Sequence, residues 1–181
     1  GYELHEDYYI SKMSKSYKSK EGGAFWYDSK RDYDNQILEL IDIKEKTKLS
    51  IQEHEGYRLE PYRCTEGFLS GGWGHKILVG EEVPTTKEGW EEIFNKDFDN
   101  AWSQMEQLCD THNLPENEEM RSVLCEQIFQ LGFTGVSKFK MMIKALQEGN
   151  MEEASNQMKS SRWYVQTPNR CVALAERMRY A

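Results

Sequence analysis

No stretch of the 181 residues approaches the roughly 18 consecutive apolar residues that a membrane-spanning helix needs, so no transmembrane segment is expected. The opening residues, Gly1-Tyr2-Glu3-Leu4-His5-Glu6, lack the basic start and apolar centre of a signal peptide. They also lack an initiator Met, so the chain is expected to be a processed product or a piece of something longer. Positive charge is scarce. Lys and Arg number 23 against 31 Asp and Glu, a net charge of -8. That excludes nucleic acid as the main partner, because phosphate binding needs a cationic surplus. Cysteine occurs four times, at 64, 109, 125 and 171, with no C-x-x-C pair. The four histidines (5, 54, 75 and 112) do not flank those thiols at metal-ligand spacing. No metal site is expected, and four unpaired thiols are the default, with a disulfide left open.

Hydrophobic residues make up 38% of the chain and aromatics 12%, enough for a core. Residues 1–34 are polar, with Gly22-Gly23 in the middle and the aromatic run Phe25-Trp26-Tyr27 after it. They read as a linker or arm. Asp34 or Asn35 can cap a helix through Ile37, Leu38, Leu40 and Ile41, and a second helix is expected from about Thr47 to Glu55, stopped by Gly56. Residues 57–83 read as short strands and turns. Thr85 and Glu88 have the spacing of a capping box. Behind them Trp90, Ile93, Phe94, Phe98, Ala101, Trp102, Met105 and Leu108 recur at three and four, one apolar stripe of a long helix. After Leu114-Pro115 the periodicity stays helical, with Gly132 as a stop, Asn150 opening another helix and Thr167-Pro168 a further one.

The chain is organised around Glu55 to His75. Glu55 stands at the end of a helix, and Gly71-Gly72-Trp73-Gly74-His75 closes the stretch. Three glycines in four positions call for a tight turn or a close approach of backbone. An acid on a helix end facing such a hairpin is a way to build one wall of a cleft.

This stretch resembles the catalytic region of the phage-type lysozymes. The matching residues are Glu55-Gly56, Arg58-Leu59, Tyr62, Cys64, Thr65-Glu66-Gly67, Ser70 and Gly72-Trp73-Gly74-His75. Two more blocks resemble the family in the same order, residues 129–136 and residues 161–170. The resemblance implies an α+β, mainly α, lysozyme-like fold in two lobes: a small β-hairpin lobe and a larger helical lobe, joined by the helix near residues 86–109. It implies a polar extension over residues 1–46 and a lysozyme domain over 47–181, expected to be monomeric.

The implied activity is hydrolysis of the β-1,4 bond between N-acetylmuramic acid and N-acetylglucosamine in bacterial peptidoglycan. Neither a metal nor an organic cofactor is called for. Glu55 is the expected general acid, delivering a proton to the leaving oxygen. Cys64 takes a position that is aspartate or cysteine in the family, where an inverting enzyme needs a second group to orient water. A free thiol titrates at about 8.5, so only a few per cent of Cys64 would be ionised to act as a base at neutral pH; a neutral thiol can still place a water, and an oxidised one would act as a redox switch. Ser70 stands where the family has threonine and keeps the hydroxyl. Glu66, Phe129, Gln130, Trp163 and Gln166 match cleft residues. His75 and Asp97 are expected to form a buried ion pair tying the hairpin to the long helix. Arg170 matches an arginine that contacts the catalytic glutamate. The implied setting is the bacterial wall, reached by a free phage endolysin or by a lysozyme domain of a larger virion or tail protein. An acidic protein is an awkward visitor to an anionic wall, and a wall-binding module without turnover is the alternative reading.

Overall fold

The computed structural model describes residues 43–63 and 67–181. The expected extension therefore lies outside the described residues except for its end, as do Cys64 and Glu66.

The first described element is a helix over residues 43–55, α1. It runs further back than the expected start at Thr47. Ile43, Thr47 and Ile51 are buried at intervals of four, and Glu55 is the next member of that series. Residues four apart share a helix face, so the stripe that anchors α1 to the core also aims Glu55 inward at its last turn. Gly56 ends the helix with φ +68°, a left-handed value that suits glycine.

Three antiparallel strands follow in the order β1-β2-β3: β1 Arg58–Arg63, β2 Leu69–Gly72 and β3 His75–Lys76. The expected hairpin lobe thus carries a third strand. Tyr62 pairs with Ser70 and Arg58 with Gly72, with a register shift between them, and Gly71 pairs with His75. β2 is nearly all buried because glycines let an indole lie flat on its backbone. A Cβ on Gly71 would come within 2.4 Å of the Trp90 ring, and one on Gly72 within 2.6 Å. The Trp90 Nε1–H donates to the Leu59 carbonyl at 2.9 Å, so one side chain holds both β1 and β2.

Trp90 belongs to α2, Lys87–His112. Its N-cap is Thr86, whose hydroxyl accepts from the Gly89 N–H at 3.2 Å, and not Thr85. The box spacing of Thr85 and Glu88 misled by one residue; Glu88 lies in the first turn, where an acid suits the helix dipole. The expected stripe is buried from Trp90 through Leu108 except for the half-buried Ile93, and Cys109 joins it. Its first turns pack on the sheet and its remainder on α3, Glu118–Leu131, so this helix spans from the sheet to the helical lobe. Five further helices complete the chain: α4 Phe133–Val136, α5 Lys140–Gln147, α6 Met151–Lys159, α7 Arg162–Gln166 and α8 Pro168–Arg179. The architecture is α+β and mainly α, as the lysozyme resemblance implies.

One core runs through the described residues, from Ile43 and Ile51 past the α2 stripe to Met178. An aromatic series crosses it from sheet to helices: Tyr57 on Trp73 at 4.7 Å, Trp73 on Phe94 at 5.4 Å, Phe94 on Phe129 at 5.8 Å. Each tilted pair adds to simple burial. Behind α1 lies a polar knot. The Thr47 and Ser122 hydroxyls are 2.7 Å apart, the Arg177 Nη2 donates to Ser122 at 2.8 Å, its Nε to Glu119 at 2.5 Å, and its Nη1 to the fully buried Glu126. Among the described residues no helix is long and apolar enough to cross a membrane.

Candidate active site

The Glu55 carboxylate is gripped from the far end of the sequence. Arg170 on α8 donates from Nη1 to its Oε1 at 2.5 Å, and both side chains are mostly buried, 21% and 10% exposed. Oε2 lies against the turn between β2 and β3. A Cβ on Gly74 would sit 3.0 Å from it, and Gly74 has φ +80°. The carboxylate is therefore held between a guanidinium and a backbone turn that only glycine fits comfortably. Arg170 keeps two donors in reserve, for its Nε and Nη2 are buried without a partner.

Ser70 is 5% exposed in β2, on the strand that feeds the Gly74 turn. No hydrogen bond joins it to Glu55 among the described residues. The structure thus brings together Glu55, Arg170 and the hairpin that carries Ser70, and says nothing of Cys64 or Glu66.

His75 is held on both ring nitrogens. Nδ1 is 2.7 Å from Asp97 Oδ2 on α2, and Nε2 is 2.9 Å from Glu81 Oε1. The pair with Asp97 is only partly buried, 18% and 35% exposed, where a buried one was expected. The Asp97 hydrogen bond, followed by the Asp97 charge and then the hydrogen bond and charge of Glu81, raises the His75 pKa against the opposing effect of burial. Glu81 in turn is held below the usual carboxylate range, first by the Leu78 N–H and then by His75.

Gln130 on α3 uses its amide within the protein. Its Oε1 accepts from Trp163 Nε1 at 3.0 Å and its Nε2 donates to Thr167 Oγ1 at 3.2 Å, which leaves one N–H for a ligand. Trp163 is buried on α7, while Gln166 is exposed. Both line a surface cavity of about 690 Å³ on the helical lobe. Phe129 is half-buried at the end of the aromatic series. Two glycosidase requirements are visible in this arrangement: an acid on a rigid element and a polar, aromatic-lined flank.

The family described as phage lysozyme matches residues 52–179, which spans Glu55, the sheet and every helix after it. The chain belongs to the phage lysozyme family. It is a peptidoglycan hydrolase in kind, a glycoside hydrolase. Among its relatives is the probable T4-type lysozyme 2 of Dictyostelium discoideum, 34% identical over 64% of this chain and 83% of that protein. The peptidoglycan hydrolase gp36 of Pseudomonas phage phiKMV is 30% identical over 71% of this chain but only 14% of its own length. The pre-baseplate central spike protein Gp5 of Enterobacteria phage T4 is 26% identical over 83% of this chain and 33% of that protein.

Sequence reading missed two features of this lysozyme-family site and one beside it. Glu81 has no motif around it; only its hydrogen bond to His75 marks it. Gly74 was noted as a turn glycine, but its contact with Glu55 depends on the α1–sheet packing. Glu126 lies on the buried side of α3 with His54 3.5 Å from its Oε2, which a carboxylate inside an apolar stripe could have flagged.

Proposed function

We propose that this chain is an N-acetylmuramidase, cleaving the β-1,4 bond between N-acetylmuramic acid and N-acetylglucosamine with inversion. The observation that carries the reading is the clamped Glu55. A general acid must meet the glycosidic oxygen in a fixed pose, and a side chain wedged between Arg170 and the Gly74 turn is fixed.

In this mechanism protonated Glu55 gives its proton to the leaving oxygen as the C1–O bond breaks. Arg170 then steadies the carboxylate that remains. Water attacks C1 from the opposite face, oriented by Ser70 and Cys64, and its proton leaves to solvent. Two groups on opposite sides of the sugar, with water between, give inversion. Phe129, Gln130, Trp163 and Gln166 flank the bound glycan, and Glu66 is a further contact carried over from the family resemblance.

The natural setting we favour is a module of a larger phage particle protein, acting on the host wall from outside or from the periplasm. The match to part of Gp5 and to a small share of gp36 supports that reading. The test is digestion of purified peptidoglycan followed by reduction and mass analysis of the new ends. Reduced muramic acid ends are expected. Reduced glucosamine ends would make the enzyme a glucosaminidase, and intact wall would make the chain a binding module.

A further inference from the structure

The polar knot behind α1 meets one face of that helix. Thr47, Ser50 and His54 stand three and four positions apart, so they share a face. Each touches the knot. The Thr47 hydroxyl lies 2.7 Å from that of Ser122, Arg177 Nη1 donates to the Ser50 hydroxyl at 3.4 Å, and His54 Nδ1 is 3.5 Å from Glu126 Oε2. On the other side Ser122 and Glu126 are four apart on α3, both fully buried. Arg177 bridges them from α8, with Nη2 on Ser122 and Nη1 on Glu126. Among the described residues Glu126 Oε2 makes no hydrogen bond, and the ring of His54 is its ion-pair partner.

This seam runs up to the site. His54 directly precedes Glu55, and Arg177 follows Arg170 by seven residues, about two turns along α8. One helix therefore holds α1 at two points, through Ser50 and through the Glu55 carboxylate itself. A buried ion pair is a poor source of stability, because desolvating two charges offsets most of their attraction. Ile43 and Ile51 already fasten α1 to the core. Apolar burial is non-directional, so it sets the depth of a helix more than its register. Buried hydroxyls and charges are directional, and they select one register. At the last turn of α1 the register is the position of Glu55.

Resting on the reading of Glu55 as the proton donor, we propose that Glu126 and Arg177 are positioning residues. Through Ser122, Ser50, Thr47 and His54 they set the axial and rotational register of α1, and so the place where the Glu55 carboxyl meets the glycosidic oxygen. They act through α1 and are not catalytic residues. An error of about 1 Å in that pose lowers turnover by up to about 100-fold. The glycan subsites lie on other elements, so the loss falls on kcat and spares KM.

The test exchanges the charges for apolar volume in a Ser122→Ala/Glu126→Leu/Arg177→Met variant. Replacing both partners leaves no buried charge alone, so urea unfolding should show a stability close to wild type. On soluble peptidoglycan fragments kcat should fall by about tenfold or more at an unchanged KM. A second readout follows the clamp without turnover: exchange of the Arg170 guanidinium hydrogens by NMR, which should be slow in the wild type and faster in the variant. Wild-type kcat in the folded variant, a loss carried by KM, or a fall in kcat with unchanged Arg170 exchange would each overturn the proposal. If the triple variant does not fold, Thr47→Val/Ser50→Ala removes the hydroxyls of α1, leaves the ion pair in place, and is read by the same measurements against the same outcomes. If the wild type leaves every fragment intact, the muramidase reading fails by itself, and Arg170 exchange decides the positioning role. Faster exchange in the variant then sustains it, and equal exchange overturns it.

Discussion

A Cβ on Gly74 would lie 3.0 Å from the Glu55 carboxylate, and the backbone there has a left-handed φ, so a single methyl acts on the site in two ways. Gly74→Ala should lose about 1 kcal/mol of stability from the backbone alone. It should also push Glu55 away from its clamp and lower kcat on wall by tenfold or more while the fold persists. Urea unfolding and turnover on the same preparation check both halves; wild-type turnover would mean that the turn does not set the acid's position. The reserve of thiols elsewhere is inert by comparison. Burial pushes Cys109 and Cys171 up to about 11 and Cys125 further still, so alkylation at neutral pH should not reach them first.

Two element-level junctions make pH and charge predictions. His75 joins β3 to α2 and to the loop bearing Glu81, and its pKa is raised in the folded state. A raised pKa means the folded state holds the proton more tightly than the unfolded chain. The contribution is therefore complete below about pH 6.5, the unfolded value, and fades as pH climbs through the raised folded value. His75→Asn should then cost more stability at pH 5.5 than at pH 9, by urea unfolding at each pH; an equal loss at both would contradict the assignment. The second junction is Arg177 between α8, α3 and α1. Glu126 is fully buried and depends on it. Arg177→Met should cost about 3 kcal/mol, because it leaves a buried carboxylate without its cation. Adding Glu126→Gln should recover part of the loss in a double-mutant cycle.

At the scale of the whole molecule the core reaches back to Ile43, beyond the domain start inferred at residue 47. Ile43 is 8% exposed and belongs to the same core as Met178. A chain trimmed to 47–181 should therefore unfold at lower urea than one trimmed to 41–181, by about 1–3 kcal/mol, the value of burying one large apolar side chain. Equal midpoints would place the boundary where the composition change suggested. The sequence made the overall plan legible. Periodicity exposed the α2 stripe, and the residues from Glu55 to His75 carried a family pattern. What it hid were long-range contacts such as the knot of Thr47, Ser122, Glu126 and Arg177, which draws on three helices; the meeting of Arg170 with Glu55 across 115 positions was legible only through the family resemblance. The cap register of α2 was hidden for a local reason, since Thr85 and Thr86 are chemically equal candidates and only the turn geometry chooses.

The central claim is that Glu55 is the proton donor. A donor matters in proportion to how badly the leaving group needs its proton. Glu55→Gln should therefore reduce hydrolysis of peptidoglycan by at least about 100-fold, yet reduce far less the hydrolysis of a muramyl glycoside whose aryl leaving group departs without protonation. That split, measured as kcat/KM on both substrates with the wild type alongside, is the result this account predicts. An equal loss on both substrates would contradict it and make Glu55 a residue that positions the sugar.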